Sequence, residues 1–356
     1  MASSLIGNRN TYIVTKKLSE YFWLAKYERS LHSTLIESHS TNRSKSEQTV
    51  LIKSARHPHI ANERNVLKKF QSHTASLRPL VDEIKEPDDP PAIVLKYLDD
   101  DLLKASAAKR LTIPEIKYVS KKILEGLKVL HDSGYVHTDI KLDNVLVNYG
   151  LESRFTDVQL ADLESTVHTE SRLCINRDEI GTPIWRSPEA QLGLQWGPPT
   201  DIWSFGTMVS HLPPQLVHLL IYISKLISLI WGDNFFIFKP DVPRSSEDYE
   251  LKILIKYHIF FGPYPSSYSD LADEETLEIL SWIKSAIPPT AMKPFSRASR
   301  REISEEDKNF ICKIMKLDPR DRPTANELLD AEWFYGILIC NDGRMRLYYV
   351  HRVMCF

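Results

Sequence analysis

The sequence lacks several features that mark particular classes of protein. Its four cysteines, Cys174, Cys312, Cys340 and Cys355, include no C-x-x-C pair. A zinc ribbon or a framework of disulfides is therefore not indicated, and reduced thiols are expected. The first ten residues have no apolar signal core and no glycine at position 2 for N-myristoylation. We therefore expect an intracellular protein, located in the cytoplasm, the nucleus or both.

The sequence also lacks a strong excess of charge of either sign. Its formal net charge is -2, with 42% apolar and 26% charged residues. These values are ordinary for a globular protein and do not indicate nucleic acid as a partner. The longest apolar run, residues 216–231, is shorter than the roughly 20 residues of a membrane span. We expect no membrane association and a monomer.

The pattern of apolar residues divides the chain into a strand-rich first third and a helix-rich remainder. Strands are predicted over residues 11–18, 22–29, 48–56 and 90–98, and helices over 62–73 and 114–134. The second helical stretch has Pro114 at its start and Gly134 at its end, which is the usual helix punctuation. The polar residues 30–46 are predicted to form an exposed loop. This order of elements indicates two lobes with a cleft between them.

The strongest chemical signal is the stretch YVHTDIKLDNVLV, residues 135–147. Phosphoryl transfer requires a carboxylate that orients the attacking hydroxyl, a cation near the transferred group, and oxygen ligands for Mg²⁺. Asp139, Lys141 and Asn144 can supply these three groups. The stretch resembles the catalytic loop of the eukaryotic protein kinases. A polar turn between two buried strands is the alternative interpretation.

The stretch LADLE, residues 160–164, stands where that family has its D-F-G motif. The resemblance implies that Asp162 is the main Mg²⁺ ligand and that Leu163 fills the apolar phenylalanine position. Glu164 replaces the glycine. This departure removes backbone freedom and adds a negative charge near the metal and the phosphates.

Three more residues match positions that support the fold in this family. Glu189, in the segment GTPIWRSPE, is expected to pair with Arg322, and Asp201 is expected to hold the backbone of the catalytic loop. The motifs occur in the family's order. The resemblance therefore implies an α+β, bilobal protein-kinase-like fold with a small antiparallel β-sheet N-lobe and a mainly helical C-lobe. The implied organisation is a tail over 1–10, the N-lobe over 11–97, the C-lobe over 98–334, and a tail over 335–356.

In the predicted N-lobe, Lys53 in TVLIK matches the lysine that grips the α- and β-phosphates of ATP. The alternative for Lys53 is an exposed strand lysine. Glu63 is the expected helix partner of Lys53, with Glu47 and Glu83 as alternatives. The hinge that would contact adenine through backbone groups is assigned to Leu95, Tyr97 and Leu98.

Two positions depart from the family pattern. The stretch KKLSEYFWLA, residues 16–25, contains no glycine where a glycine-rich loop is expected, and it is short for a turn that covers phosphates. Thr138 replaces the arginine that binds a phosphorylated activation loop, which predicts a kinase that is not switched on by that modification. The H-T-D triplet resembles that of the SR-protein kinases, and the sequence as a whole resembles fungal kinase-like proteins.

Residues 209–225 interrupt an otherwise continuous apolar helix. Joining Met208 to Leu226 restores the helix, whereas the intervening residues contain Pro213 and Pro214, which would break it. The dipeptide at 209–210 can be encoded by GTAAGT, a splice-donor sequence. We therefore interpret 209–225 as an aberrant insertion, such as a retained intron; a genuine insertion is the alternative.

Together these residues predict a protein serine/threonine kinase that uses ATP and Mg²⁺ on a protein substrate, with a Ser/Arg-rich substrate suggested by the SR-protein-kinase resemblance. The alternative is a pseudokinase that acts as a binding or scaffold module, because the glycine-rich loop is degenerate.

Overall fold

The structure of the chain is a computed structural model that describes residues 4–28, 47–208, 236–300, 303–335, 338–341 and 344–347. The expected polar loop over 30–46, residues 209–225 and the apolar run 216–231 all lie outside the described residues. The described residues form two compact units. The first unit contains residues up to Asp99 together with Ala161–Ser165, and the second contains Asp100–Leu160 and the residues from Thr166 onward.

The first unit is a β-barrel with one long helix. Its elements are β1 (Ser4–Gly7), β2 (Thr11–Lys17), β3 (Phe22–Glu28), β4 (Glu47–Ser54), α1 (Pro58–Phe70), β5 (Leu80–Glu86) and β6 (Ala92–Lys96). All neighbouring strands are antiparallel, and the order β1-β2-β3-β4-β6-β5 closes on itself. The predicted small antiparallel sheet is therefore confirmed, and in this unit it is closed.

The strand β1 is a departure from the prediction of a tail over residues 1–10. Leu5 pairs with Tyr12 of β2, and Gly7 pairs with Ile84 of β5. The tail prediction is wrong for Ser4–Gly7, because these residues complete the barrel between two strands that would otherwise be edges. The carboxylate of Asp82 anchors the junction by accepting hydrogen bonds from the Tyr12 hydroxyl and the Arg9 N–H, both at 2.9 Å.

The second unit is mainly helical in its described residues. Its helices are α2 (Leu102–Ala108), α3 (Ile113–His131), α4 (Arg172–Ile175), α5 (Pro188–Gln191), α6 (Pro198–Met208), α7 (Tyr249–Phe261), α8 (Glu274–Ala286), α9 (Glu305–Ile314) and α10 (Ala325–Leu329). Its strands are β7 (Asp100–Asp101), β8 (Tyr135–Val136), β9 (Val145–Tyr149), β10 (Phe155–Leu160), β11 (Val167–His168), β12 (Leu338–Asn341) and β13 (Arg344–Leu347). The α+β fold class is confirmed. Strands β12 and β13 form an antiparallel hairpin within the segment predicted as a C-terminal tail.

Helix α3 shows how local sequence fixes an element of this unit. Thr112 and Glu115 form a reciprocal capping box at its start, and Asp132 ends it just before Gly134, whose φ is +76°. The predicted apolar face is buried at Ile116, Val119, Ile123, Leu127 and Leu130. Within the described residues, no helix is both long and apolar enough to cross a bilayer.

Helix α6 forms the centre of the second unit. All residues from Thr200 to Met208 are buried, so this helix is surrounded by other elements instead of lying on the surface. Trp203 stacks on Phe238 and packs edge-to-face against Tyr257. The helix therefore provides a rigid support for the loops that precede it and pack on it.

Candidate active site

Lys53 lies at the centre of a charged cluster in the first unit. It is on β4, in register with Phe22 of β3 and Ile93 of β6, and its side chain is only 8% exposed. Its Nζ lies 2.8 Å from Oε2 of Glu63, 2.8 Å from Oδ1 of Asp162 and 2.7 Å from Oε2 of Glu164. The alternative of an exposed strand lysine is therefore wrong.

Glu63 reaches Lys53 from helix α1. The helix begins at Pro58, earlier than predicted, because the His57 side chain caps it by accepting the N–H of His59 at 3.3 Å. Glu63 lies on the buried face of the helix together with Ile60, Val66, Leu67 and Phe70. The pairing expected between Lys53 and Glu63 is thus present.

The two alternative glutamates are engaged elsewhere. Glu47 forms an ion pair with Lys26 at 2.7 Å, and Glu83 forms one with Lys68 at 2.5 Å. Both pairs are considerably more exposed than the pair of Lys53 and Glu63. Distance along the sequence from Lys53 does not distinguish Glu63 from Glu47 and Glu83, whereas the position of Glu63 on the buried face of α1 does.

Burial and charge shift the ionisation of this cluster. Burial raises the pKa of Glu63 above its usual range, although Lys53 acts in the opposite direction. Burial alone would lower the pKa of Lys53, but the charges of Glu63 and Asp162 and the hydrogen bonds to Asp162 and Glu164 raise it overall. Burial lowers the pKa of Arg78, a second cation near Glu63, to about 10. Three carboxylates thus share two buried cations.

The segment Ala161–Ser165 is held against helix α1. Asn62 donates a hydrogen bond to the backbone carbonyl of Glu164 at 2.8 Å, and Leu163 is fully buried, as expected for the apolar position of the motif. Asp162 has a φ of 62°, an unfavourable value for a residue with a side chain. The surrounding contacts therefore impose a backbone conformation that leaves the Asp162 carboxylate about one-third exposed.

The turn between β2 and β3 uses its own backbone donors internally. The N–H groups of Leu18 and Ser19 both donate to the carbonyl of Phe22, at 2.9 and 3.2 Å. Tyr21 at its tip is exposed. The turn is therefore a tight hairpin without glycine, and these two N–H groups are not directed at a ligand.

Of the residues predicted as the hinge, Leu95 lies near the end of β6, and Tyr97 and Leu98 follow that strand. Leu95 and Leu98 are buried, Tyr97 is half-buried, and the carbonyl of Lys96 accepts a hydrogen bond from Nε of Arg78 at 2.8 Å. The N–H of Lys96 donates to the carbonyl of Pro79 at 3.1 Å. The role of these residues toward adenine stays a prediction.

Asp139 is the centre of a second cluster, in the second unit. Its Oδ2 lies 2.6 Å from Nζ of Lys141 and accepts a hydrogen bond from Nδ2 of Asn144 at 3.1 Å. Its Oδ1 accepts the hydroxyl of Thr182 at 3.2 Å. Asn144 also donates to the backbone carbonyl of Asp139 at 2.8 Å, so one amide fixes both the loop and the carboxylate.

The backbone before Asp139 is fixed by the buried Asp201 at the start of α6. Its two carboxylate oxygens accept the N–H groups of His137, at 2.8 Å, and Thr138, at 2.9 Å. Its Oδ2 also lies 2.9 Å from Nε2 of His131. Thr138 has a φ of 72°, which costs about 1–3 kcal/mol and persists only where other contacts impose it. The expected hold of Asp201 on the catalytic-loop backbone is present.

Glu189 and Arg322 form the expected buried pair in the same unit. Nη1 and Nη2 of Arg322 each lie 2.7 Å from one oxygen of Glu189, and both side chains are inaccessible to solvent. Gly181, just before Thr182, has a φ of +64°, and a Cβ there would lie 2.7 Å from the carbonyl oxygen of Thr138. Only glycine allows this close approach to the loop.

The segment between Asp162 and Gly181 is anchored by apolar packing. Cys174 packs with Trp196, Val136 and Ala190 in a small core, and its Sγ donates to the carbonyl of Trp196 at 3.2 Å. Nε1 of Trp196 in turn donates to the carbonyl of Asp178 at 3.0 Å. These contacts hold the part of the segment around Cys174 and Asp178 in a fixed position.

Comparison with known families agrees with this geometry. The family described as "Protein kinase domain" matches residues 36–217, just over half of the chain. The chain belongs to the protein kinase family. The predicted superfamily is thereby confirmed. The residues of the cluster around Lys53 and of the cluster around Asp139 are the candidate active-site residues of this kinase.

Several curated kinases are similar to this kinase chain. Cyclin-dependent kinase 12 of Caenorhabditis elegans is 28% identical over 249 residues, which are 69% of this chain and 29% of that protein. Cyclin-dependent kinase C-1 of Arabidopsis thaliana is 27% identical over 246 residues, 68% of this chain and 42% of that protein. Serine/threonine-protein kinase STE20 of Kluyveromyces lactis is 34% identical over 129 residues, 35% of this chain and 12% of that protein. The chain thus spans less than half the length of each of these relatives. Membership of the SR-protein-kinase branch stays a prediction.

Two residues of the kinase site were not singled out from the sequence. Arg78 carries a buried positive charge near Glu63, but it stands between Leu77 and Pro79, outside every motif recognised in the sequence. Thr182 contacts both Asp139 and Lys141, and its place in the GTPIWRSPE motif could have identified it. The pairing of Glu164 with Lys53 was also not predicted, although the replacement of the motif glycine was noted.

Proposed function

We propose that this kinase chain transfers the γ-phosphoryl group of ATP to a serine or threonine hydroxyl of a protein substrate. The observation that carries the proposal is the arrangement around Asp139, in which Lys141, Asn144 and Thr182 hold one carboxylate through both of its oxygens. A carboxylate fixed in this way is suited to orient one hydroxyl and to accept its proton.

In the proposed reaction, the acceptor hydroxyl donates a hydrogen bond to Asp139, whose side chain is 18% exposed. As the bond between the acceptor oxygen and the γ-phosphorus forms, the proton passes to the carboxylate. The bond between the γ-phosphorus and the bridging oxygen of ADP breaks, and ADP carries away that electron pair. Lys141 places a positive charge beside the carboxylate, where charge develops on the transferred group.

The remaining groups are assigned to the nucleotide and its metal. Lys53 would bind the α- and β-phosphates, while Asp162 and the amide oxygen of Asn144 would hold Mg²⁺. The donor set fits, because carboxylate and amide oxygens are the ligands that this hard cation prefers. When bound, Mg²⁺ would supply positive charge that stabilises the negative charge of the phosphates. Leu95, Tyr97 and Leu98 would contact the adenine through backbone groups.

The substrate and the setting are also proposals. We assign a protein substrate, with Ser/Arg-rich segments as the first class to test, because the H-T-D triplet resembles the SR-protein kinases. We further propose an intracellular enzyme of the cytoplasm or nucleus, since the described thiols of Cys174 and Cys312 are unpaired.

A second candidate function is a pseudokinase scaffold, favoured by two specific observations. In the hairpin between β2 and β3, the N–H groups of Leu18 and Ser19 donate to the carbonyl of Phe22 and are therefore not available to phosphates. In addition, the ammonium of Lys53 is surrounded by three carboxylates. Both features weaken nucleotide binding without disturbing the fold.

One experiment separates the two candidates. We expect millimolar Mg·ATP to raise the unfolding temperature, since a ligand of the native state stabilises it by mass action. We also expect transfer of labelled phosphate to a Ser/Arg-rich peptide, and loss of that transfer in Asp139→Asn. Asp88→Asn, the same change in an exposed loop, is the control.

The chain should be tested both as given and without residues 209–225. Absence of stabilisation and of transfer in both forms would refute the kinase function and favour the scaffold. Transfer that survives in Asp139→Asn would refute the role of that carboxylate.

A further inference from the structure

The ammonium of Lys53 has three carboxylate neighbours. A lysine ammonium has three N–H donors and no acceptor. Three carboxylate oxygens, one each from Glu63, Asp162 and Glu164, lie within 2.8 Å of its Nζ. The ammonium of Lys53 is therefore surrounded by three protein carboxylates, with hydrogen bonds to Glu63 and Asp162 and an ion pair with Glu164, and a nucleotide phosphate that contacts it must replace one of them.

Asp162 and Glu164 are the two carboxylates exposed enough to leave, at 34% and 29%, and Asp162 is already assigned to the metal, so Glu164 is the candidate for displacement. Glu63 is almost completely buried on helix α1, whereas the Glu164 side chain is 29% exposed. A buried carboxylate that moved away from its cation would lose most of its stabilisation, but an exposed one would be solvated. The backbone of Glu164 is fixed by Asn62, so only its side chain needs to rotate.

The surroundings of Glu164 provide both space and a second partner. Lys53, Asp162 and Glu164 line a cavity of about 570 Å³ together with Arg56, His57 and His59 of the same unit. Oε1 of Glu164 already lies 3.6 Å from Nδ1 of His59. The carboxylate can therefore turn from Lys53 toward the start of helix α1, where the helix dipole also favours a negative charge.

We propose that the Glu164 carboxylate is an internal competitor of the nucleotide phosphates for Lys53, which must be displaced for ATP or ADP to bind. This inference rests on the proposed function. The family motif has glycine at the position of Glu164, and glycine has no side chain that could compete. In this chain, the affinity for nucleotides that carry phosphates thus depends on replacing the Glu164 carboxylate by a phosphate at the ammonium of Lys53.

The size of the effect follows from the type of contact. A hydrogen bond to a charged group contributes on the order of tenfold to a hundredfold in an equilibrium constant. Removing the charge of Glu164 should therefore tighten binding of phosphate-bearing nucleotides by about tenfold or more. Adenosine, which has no phosphate, should be unaffected.

The test measures binding of ADP and of adenosine by calorimetry to the full chain, first in EDTA and then with Mg²⁺. In EDTA, we expect Glu164→Gln and Glu164→Gly to bind ADP at least about tenfold more tightly than the unaltered chain, with unchanged adenosine affinity. Glu170→Gln, which removes a charge from an exposed glutamate, is the matched control and should change neither affinity. In a Lys53→Met background, Glu164→Gln should no longer tighten ADP binding.

Four outcomes contradict the proposal. Equal or weaker ADP binding by both Glu164 variants would show that this carboxylate does not compete. Equal tightening of ADP and adenosine would place the effect away from the phosphates, as would tightening that persists with Lys53→Met. If no variant binds adenosine or ADP, the nucleotide-binding function itself fails, and the competition fails with it.

Discussion

The buried pair of Glu189 and Arg322 allows a stability prediction of definite size. Arg322 uses all five of its N–H donors: two bind the two oxygens of Glu189, and three bind the backbone carbonyls of Pro199, Lys316 and Leu317. Its guanidinium also lies 5.1 Å from the ring centre of Trp203. Substitution of Arg322 by Met keeps much of the side-chain volume but removes every one of these donors.

The expected cost comes mainly from the charge that is left behind. Glu189 is only 1% exposed and would keep a carboxylate with no cation in contact with it. Breaking such a buried pair costs about 3–5 kcal/mol of the free energy of unfolding. For a unit of this size, that corresponds to a fall in the midpoint of thermal unfolding of roughly 10 °C.

The assay is thermal and urea unfolding, followed by circular dichroism and tryptophan fluorescence. Arg56→Met is the matched control, because Arg56 makes the same two-pronged contact with Asp89 but on the surface, with both side chains mostly exposed. We expect this control to leave the midpoint almost unchanged. Combining Arg322→Met with Glu189→Gln should cost clearly less than the sum of the two single changes.

Two results would contradict a strong stabilising interaction between Glu189 and Arg322. A midpoint for Arg322→Met within about 2 °C of the unaltered chain would show that the buried charge is not strongly stabilised by this pair. Strict additivity in the double variant would show that the two residues do not stabilise each other.

Four further predictions follow from the same structure. Asp162→Ala should abolish phosphate transfer in the peptide assay while leaving the unfolding temperature within a few degrees; full transfer would contradict its assignment to the metal. Hydrogen bonds from Arg320 lower the pKa of Asp318 from 3.8 to about 2, so its stabilising contribution is complete above pH 4 and is lost as the pH falls through about 2; the difference in midpoint between the unaltered chain and Asp318→Asn should shrink over that window. Trp196→Ala should cost about 3–5 kcal/mol and speed proteolysis between residues 165 and 180, because the ring is buried against the core around Cys174; unchanged proteolysis would argue against the anchor. Phosphatase treatment should not lower activity, since Thr138 offers no charge to a phosphate and packing already holds the segment; a marked loss would overturn this expectation.

Local patterns in the sequence were sufficient to predict most elements near the site. The period of apolar residues gave helix α3 and its buried face, and alternation with turn residues gave β2, β3, β4 and β6. Strands β1 and β5 were not predicted. Only two of the four residues of β1 are large and apolar, so the pattern is too short to signal a strand before its partners are known.

What the sequence by itself determined was the set of candidate reactive groups. Asp139, Lys141 and Asn144 could be chosen because they lie close together in one short stretch, and short-range spacing is preserved in any conformation of the chain. Lys53 and Asp162 were chosen because their motifs resemble those of the protein kinases. The partner expected for each charge, such as Arg322 for Glu189, came from resemblance to a family and not from local pattern.

Only the tertiary structure decided which charges share a cluster. Lys53 and Asp162 are 109 residues apart, and neither the third carboxylate from Glu164 nor the buried cation of Arg78 follows from spacing. The physical reason is that a buried charge is stabilised by whatever group packing brings within about 4 Å of it. That distance is set by the closure of the barrel and the placement of helix α1, which depend on the whole unit.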